Sequence, residues 1–399
     1  MSLEKPLIKT QVAIMGAGLV GMVAAVAMHQ AGFEVLLIDG KNPEQALSNS
    51  SEEWDQKIYA VSPKNVEWLK QLGVWQHIEE SRIGNMQHMQ IWGDEKTPLC
   101  LTAEDANQDA LAFIVEAKVL SKALLRQVHH HKIQTKFDCP GQQLFINSKK
   151  TLLELESATV DSELLLAADG SHSWVRHQIN APLNVKSYGQ IAIVANFEVE
   201  ESHGNTATQW FGHDVNGENS ILAWLPLPGN RISIVWSVSV SVGQALLGLN
   251  AEEFTQRVSA TGNHILGKMR LITSPASFPL SLQTTDVLTQ DCTVFIGDAA
   301  HQIHPLAGQG MNLGFRDVID IVEIWKDKNP YQSVNDSSLL KRYSRVRKQD
   351  VLNMRLLTDG LYQLFANQYI PIKQLRNRGL ALAANSIMKK LLVEKAVSL

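Results

Sequence analysis

Cysteine is scarce in this sequence. Cys100, Cys139 and Cys292 are odd in number and far apart along 399 residues. That excludes a disulfide framework and points to a reducing compartment. Long apolar runs are missing too. The longest, residues 15–28, is too short to span a bilayer and opens with glycines, which suits a buried helix packed on a sheet. No basic stretch followed by an apolar core stands near the N-terminus, so no secretory leader is expected and the expected location is cytoplasmic. Internal repeats and low-complexity tracts are absent. What remains is an ordinary globular composition, 45% hydrophobic and 19% charged, long enough for two or three packed units.

Charge is low but uneven. The net charge is −4, which offers no nucleic-acid surface. From residue 339 onward there are twelve basic and three acidic residues, so that region carries about +9 and the rest about −13. A basic end on a mildly acidic body suits an anionic partner.

The N-terminal third reads as alternating strand and helix. Residues 11–15 form a buried strand, 18–30 a helix stopped at Gly32, and 34–38 a second strand ending at Asp39. Strand, glycine turn, helix and strand within about 30 residues make a Rossmann-type βαβ unit. Residues 61–75 and 119–128 are further helices. His129, His130 and His131 read as a solvated helix end, because adjacent side chains do not converge on one metal ion. From 189 to 242 the period changes to two. Ile232, Ile234, Trp236, Val238, Val240 and Val242 alternate with serines, which predicts one half-buried antiparallel strand. The chain returns to the first unit at 292–296, and after Ser337 the pattern is helical to the end.

Three loops carry the chemistry. In Gly16-Ala17-Gly18-Leu19-Val20-Gly21, Gly16 permits the turn, Gly18 lets backbone approach a pyrophosphate, and Gly21 lets the helix pack on the strand. Free N–H groups at the helix start face the phosphates. Asp39 is placed to accept from the ribose hydroxyls of an adenosine. Asp169-Gly170 alone reads as a turn, but Ser173 and Arg176 extend it to DGxxSxxR. The third loop lies in VFIGDAAHQIHPLAGQGMNLGFRDV, residues 294–318. Asp298 is placed to hold a ribityl hydroxyl of a flavin. Pro305, Gly308 and Gly310 let backbone approach a flat ring. A helix starting near Met311 aims its N-terminus at the ring's pyrimidine end, where negative charge develops. Gly308 to Asn312 therefore form the expected cradle. His301 and His304 have metal-pair spacing but no further ligands, so a metal site is not expected.

Together the three loops resemble the para-hydroxybenzoate hydroxylase class of FAD-dependent monooxygenases. GDAAHxIHPLAGQGxNLGxxD is similar to the ubiquinone-biosynthesis hydroxylases within it. Tyr59 to Ser62, Leu72 to Trp75, Phe113 to Glu116 and the strands around Trp224 and Trp236 also resemble that family, so the likeness runs from about residue 11 to 359. It implies an α/β fold: a Rossmann-type FAD-binding domain with an inserted antiparallel β-sheet substrate domain and a helical C-terminus. The corresponding boundaries are 1–75, 105–180 and 280–338 for the FAD domain, 76–104 and 181–279 for the substrate domain, and 339–399 for the basic end. The implied reaction is ring hydroxylation of a polyprenyl phenol in ubiquinone biosynthesis. In it NAD(P)H reduces FAD, and O₂ forms a flavin C4a-hydroperoxide that delivers the oxygen. Lys57 stands near FAD where the family usually has Arg, keeping the charge and losing the bidentate fork. Ala117 replaces the usual Asn. No catalytic base is identified; Tyr188, His213 and His304 are candidates that read more simply as structural. The basic end suits an anionic inner-membrane surface or a biosynthetic complex, and a homo-oligomer is compatible. A flavin reductase or halogenase, a hydroxylase of another phenol, and a non-catalytic FAD-fold scaffold are the alternatives.

Overall fold

The computed structural model describes residues 5–48, 53–93, 97–214, 216–303, 309–366, 389, 390 and 393. The first sheet is built around parallel strands. Leu7–Met15 is central, flanked by Val35–Ile38 on one side and Thr159–Ala167 on the other. Gln134–Lys136 and Thr293–Phe295 extend it outward, both parallel. Val35–Ile38 is buried along its whole length, as a parallel strand covered on both faces must be.

The helix Leu19–Gln30 crosses this sheet with Gly21 to Met28 all buried. It is apolar all round because it lies in the interior, between the sheet and the helices Ala117–His130 and Gln309–Lys326. Gly21 is what allows that position: a Cβ there would stand 1.8 Å from the Gly16 carbonyl oxygen.

The second sheet has nine strands in the described residues. Asn184–Val199, Arg231–Ser239, Asn219–Leu227 and Thr206–His213 form its antiparallel centre. His88–Trp92 and Leu99–Thr102 join one edge and Ala276–Thr284 the other. One face packs on Val240–Leu247 and Ala251–Thr261 through Phe197, Trp210, Trp224, Trp236 and Phe254. The other looks toward the first sheet, and Asn196 Nδ2 donates to the Asp55 carbonyl across that boundary at 2.7 Å. A small sheet of Ile58–Val61, Ala112–Glu116 and Gly84–Met86 lies between the two.

The single alternating strand expected through Val242 is shorter. It ends at Ser239, and Val240–Leu247 is helical with Val240 42% exposed. The serines are not on a solvated face either. Ser233, Ser237 and Ser239 are buried: Ser233 lies beside Asn196, which bonds the Asp55 carbonyl, and Ser239 Oγ donates to Asp214. Alternation marks two faces but does not say that either one is wet. The long C-terminal helix is Ser337–Ala366. Of the rest of the expected basic amphipathic end, Lys389, Lys390 and Val393 are described, and Val393 is buried against Leu99, Leu101 and Leu111 instead of offering an exposed apolar stripe; Leu380, Ile387, Leu391 and Lys395 lie outside the described residues. Among the described residues, no helix is long and apolar enough to cross a membrane.

Gly21→Ala should lower the chemical-unfolding free energy by about 3 kcal/mol or more, since backbone rather than a movable side chain blocks the new methyl. An unchanged unfolding midpoint would show that the helix is not this close to the turn.

Candidate cofactor site

The register of the first sheet aligns the strand ends. Met15 pairs with both Ala167 and Ile38, and Ala167 pairs with Phe295. Four adjacent parallel strands therefore finish in one row. Gly16–Gly18, Asp39, Asp169–Gly170 and Gly297–Asp298 leave from the same edge. A ligand binds an open α/β sheet at the carboxyl ends of its strands.

Gly16 has φ +107°, and a Cβ there would stand 2.4 Å from the Ala168 carbonyl oxygen. Its N–H donates to the Ile38 carbonyl at 2.7 Å, which ties the turn to the neighbouring strand. Gly18 caps the helix with no side-chain hydrogen bond, and the space its Cβ would occupy is open to 4 Å. No acidic residue stands in the first turn. A helix N-terminus with free donors and open space above it suits a pyrophosphate.

Asp39 is half-buried. Its Oδ2 accepts from the Ala17 N–H at 2.6 Å and its Oδ1 from the Lys41 N–H at 2.8 Å. Each oxygen keeps a lone pair for a ribose hydroxyl. Asp169 Oδ2 accepts from the Val175 N–H at 3.0 Å, while its Oδ1 is buried with no partner. Burial pushes its carboxyl above the ordinary range. Arg176 clamps this loop to the next one: its guanidinium donates to the Ser171 carbonyl at 2.6 Å and the Ala299 carbonyl at 2.9 Å.

Asp298 is open to solvent, and among the described residues no hydrogen bond holds its carboxylate. Protein crowds it from the sides, and that desolvation raises its pKa, against the pull of His301 and Lys57. Lys57 is exposed, with its ammonium 5.5 Å from the Tyr59 ring centre. Its pKa is raised, chiefly by Tyr59, with Asp298 and Asp55 adding.

The helix Gln309–Lys326 begins two residues before the expected start at Met311. Gly310 is open around its Cβ position and Met311 is buried. Val20 packs between Gly297 and Gly314, which brings the starts of the two helices together. Asn312 points elsewhere. Its Oδ1 accepts from Asn65 Nδ2 at 2.9 Å and the Ser62 N–H at 3.1 Å, and its Nδ2 donates to the Ala60 carbonyl at 2.8 Å. The side chain latches this helix to Ile58–Val61, which leaves only its backbone for a cradle. Pro305, Gly308 and His304 lie outside the described residues.

Tyr188 donates to Asp359 at 3.4 Å and His213 is exposed at a strand end. Neither has the geometry of a poised base. Among the described residues no cluster could hold a metal. The fit to a dinucleotide flavin rests on the glycine cradle and on the orphaned, buried Asp169 Oδ1.

Beneath Gly297 lies a buried charge network not anticipated from sequence. Asp317, 1% exposed, accepts from the Gly297 N–H at 2.7 Å, His301 Nε2 at 2.8 Å and Arg347 Nε at 2.7 Å. Arg347, 2% exposed, also meets Asp320 at 2.9 Å and Asp350 at 2.6 Å. The sequence held a signal for it. Asp317 interrupts the apolar stripe Leu313, Val318 and Ile321, and Arg347 follows Leu340 and Tyr343 on theirs. A charge in a buried stripe needs a partner.

Burial opposes ionisation of Asp317, but His301, Arg347 and the Gly297 N–H outweigh it and hold its pKa below 3.8. A depressed carboxyl stabilises the fold above its unfolded pKa, and that contribution is lost as pH falls through the folded value. Asp317→Asn should remove this acid-side slope below about pH 4. It should also cost about 3–5 kcal/mol at neutral pH, by leaving part of the Arg347 charge unpaired. Unfolding titrations from pH 2 to 7 check both; coincident curves for the two proteins would remove the network's role.

Comparison with known proteins agrees with this geometry. A family model described as FAD binding domain matches residues 9–354. The chain is 30% identical to 3-demethoxyubiquinol 3-hydroxylase of Escherichia coli, covering 98% of this chain and 99% of that one. It is 30% identical to ubiquinone hydroxylase UbiL of Rhodospirillum rubrum, covering 97% and 89%. Among solved structures it resembles p-nitrophenol 4-monooxygenase PnpA of Pseudomonas putida, with TM-score 0.77, 14% identity and 98% of each chain covered. It also resembles Klebsiella pneumoniae HpxO complexed with FAD and uric acid, with TM-score 0.74, 15% identity and 97% of each chain covered. The chain belongs to the FAD-binding-domain family and, within it, to the ubiquinone-biosynthesis hydroxylases, FAD-dependent monooxygenases of aromatic rings.

Proposed function

We propose that this protein hydroxylates the ring of a polyprenyl phenol in ubiquinone biosynthesis, with NAD(P)H as electron donor. The observation that carries the reading is the row of four loops at one sheet edge, beside a second sheet whose Leu225 and Leu227 pack on Ala112 and Ile114 of the small sheet between them. Ring C–H, O₂, NAD(P)H and a proton become ring C–OH, NAD(P)⁺ and water. When bound, FAD supplies the redox chemistry that accepts the two electrons and activates O₂.

The chain's own residues bind, orient and shield. Gly16, Gly18 and the start of Leu19–Gln30 take the pyrophosphate, with Gly21 holding that helix close. Asp39 takes the adenosine ribose. Asp169 and Asp298, at neighbouring strand ends, take hydroxyls of the linking chain, with the Lys57 ammonium beside them. Backbone at Gly310, Met311 and Asn312 opens the helix whose N-terminal field favours negative charge on the pyrimidine side of the ring system. The second sheet covers the reacting ring and keeps water away.

Docking at a lipid surface fits the same reading. The helix Ser337–Ala366 exposes Val346, Leu352, Leu356 and Leu357 beside the exposed Arg345, Lys348 and Arg355. A basic amphipathic face of this kind suits anionic lipid, where a polyprenyl substrate resides. Co-sedimentation with anionic vesicles should fall at least about 5-fold in Leu356→Glu, and neutral vesicles should bind little. Equal, negligible binding throughout would remove the docking.

Purified protein should show a flavin absorption spectrum, and a prenylated phenol should stimulate NAD(P)H oxidation and yield hydroxylated product. Gly16→Glu should retain no FAD, because the turn needs positive φ and the new charge faces phosphate. Failure to take up flavin even in excess FAD would overturn the assignment, as would a fully loaded Gly16→Glu protein.

A further inference from the structure

Lys57 differs from the other proposed cofactor contacts in that a long side chain must place a charge. It lacks the planar fork of an arginine and carries one ammonium on a flexible stem. The side chain is exposed. Tyr59, two positions on and so on the same strand face, flanks it, with the ammonium 5.5 Å from the ring centre. Where that charge can reach therefore depends on how firmly the backbone beneath it is held.

The backbone is held from both sides. The Lys57 N–H donates to Asp55 Oδ1 at 3.0 Å, and the Lys57 carbonyl accepts from the Ala117 N–H at 2.8 Å. Asp55 is tied in turn. Its N–H donates to Glu116 Oε1 at 2.7 Å, and its Oδ2 accepts from the Lys118 N–H at 3.0 Å, in the first turn of Ala117–His130. Its carbonyl accepts from Asn196 of the second sheet. Trp54, one residue earlier, meets two guanidiniums, Arg82 at 4.2 Å and Arg231 at 5.6 Å from its ring centre.

Glu116 stands at the centre of these ties. It is 0% exposed and pairs with Ile58 across the small sheet. Arg82 meets it with two N–H groups, Nε on Oε2 and Nη2 on Oε1, both at 2.7 Å. A buried carboxylate needs such a partner, and Arg82 alone neutralises the charge. The further bond to the Asp55 N–H does something else: it fixes the segment that delivers Lys57.

We propose that Glu116 is a positioning residue for the cofactor: through Asp55 it sets the backbone from which Lys57 reaches FAD, so that Glu116 and Lys57 act on FAD binding as one unit. This rests on the placing of Lys57 beside the dinucleotide in the hydroxylase reading above.

The test is the FAD affinity of the full-length protein, freed of bound flavin and titrated with FAD by fluorescence quenching. Lys57→Gln should weaken binding about 10-fold, the loss of one charge-assisted contact. Glu116→Gln keeps the shape but turns an amide N–H pair toward donors, and should weaken binding about 5-fold. The double variant should be weakened about 10-fold and not about 50-fold, since a misplaced lysine has little left to lose. A merely structural Glu116 would weaken binding by the same factor with or without Lys57→Gln. That multiplicative outcome, or unchanged affinity in Glu116→Gln, would overturn the positioning role and leave the hydroxylase standing. Unchanged affinity in Lys57→Gln overturns it as well and removes Lys57 from the cofactor. A wild-type protein that takes up no FAD removes both readings. Asp55→Asn decides where Glu116→Gln does not fold: it leaves the Lys57 or the Lys118 N–H facing another donor, and it should show the same coupling with Lys57→Gln.

Discussion

The buried carboxylate of Asp317 is the interaction on which the cofactor edge depends. It holds the Gly297 N–H, His301 and Arg347 at once, from a position with almost no solvent contact. Such a charge is tolerated only because every partner is present. The result is mechanical. The turn carrying Asp298 is fixed to the helix Gln309–Lys326 and, through Arg347, to the C-terminal helix. Tyr343 adds a second tie from that helix to the Phe295 carbonyl at 3.2 Å. The Gly297–Asp298 loop thus leans on a helix more than 30 residues later in the chain.

A second constraint is closeness. The strand–turn–helix start works only with no side chain at two positions, because the Gly16 turn abuts Ala168 and the helix abuts Gly16 itself. Gly18 differs from both in facing open space. The same short motif therefore holds glycines in two settings, close packing at Gly16 and Gly21 and open space at Gly18, which the proposed cofactor reading uses. Loops built this way leave donors and acceptors unpaired at the strand ends, and the scaffold behind them carries the stability.

Much of this was legible locally. The first βαβ unit, the glycine turn, Asp39 at its strand end and the 297–298 loop follow from apolar runs and from residues with special backbone freedom. The serine-alternating strand was legible as a strand but not as one with its serines buried, since their burial depends on contacts with segments elsewhere in the chain, such as Asp214 on Ser239. Asn312 shows the same limit. Its place beside a glycine-rich loop suggests a ligand contact, yet its side chain is used by Ala60, Ser62 and Asn65. Arg347 sits among basic residues that read as a surface charge cluster; its place on the Leu340 and Tyr343 stripe marks it as inward, and only packing makes Asp317 its partner.

By itself the sequence determined the order of strands, turns and helices, and the chemical kind of each loop, because periodicity and glycine chemistry act over a few residues. Only the tertiary structure decided that residues 16, 39, 169 and 298 meet. That follows from strand order and register, with Met15 beside Ala167 and Ile38 and Ala167 beside Phe295. It likewise decided that Asp317 is neutralised by Arg347. Strand neighbours and buried ion partners are chosen by the packing of distant segments, and no local pattern encodes that choice.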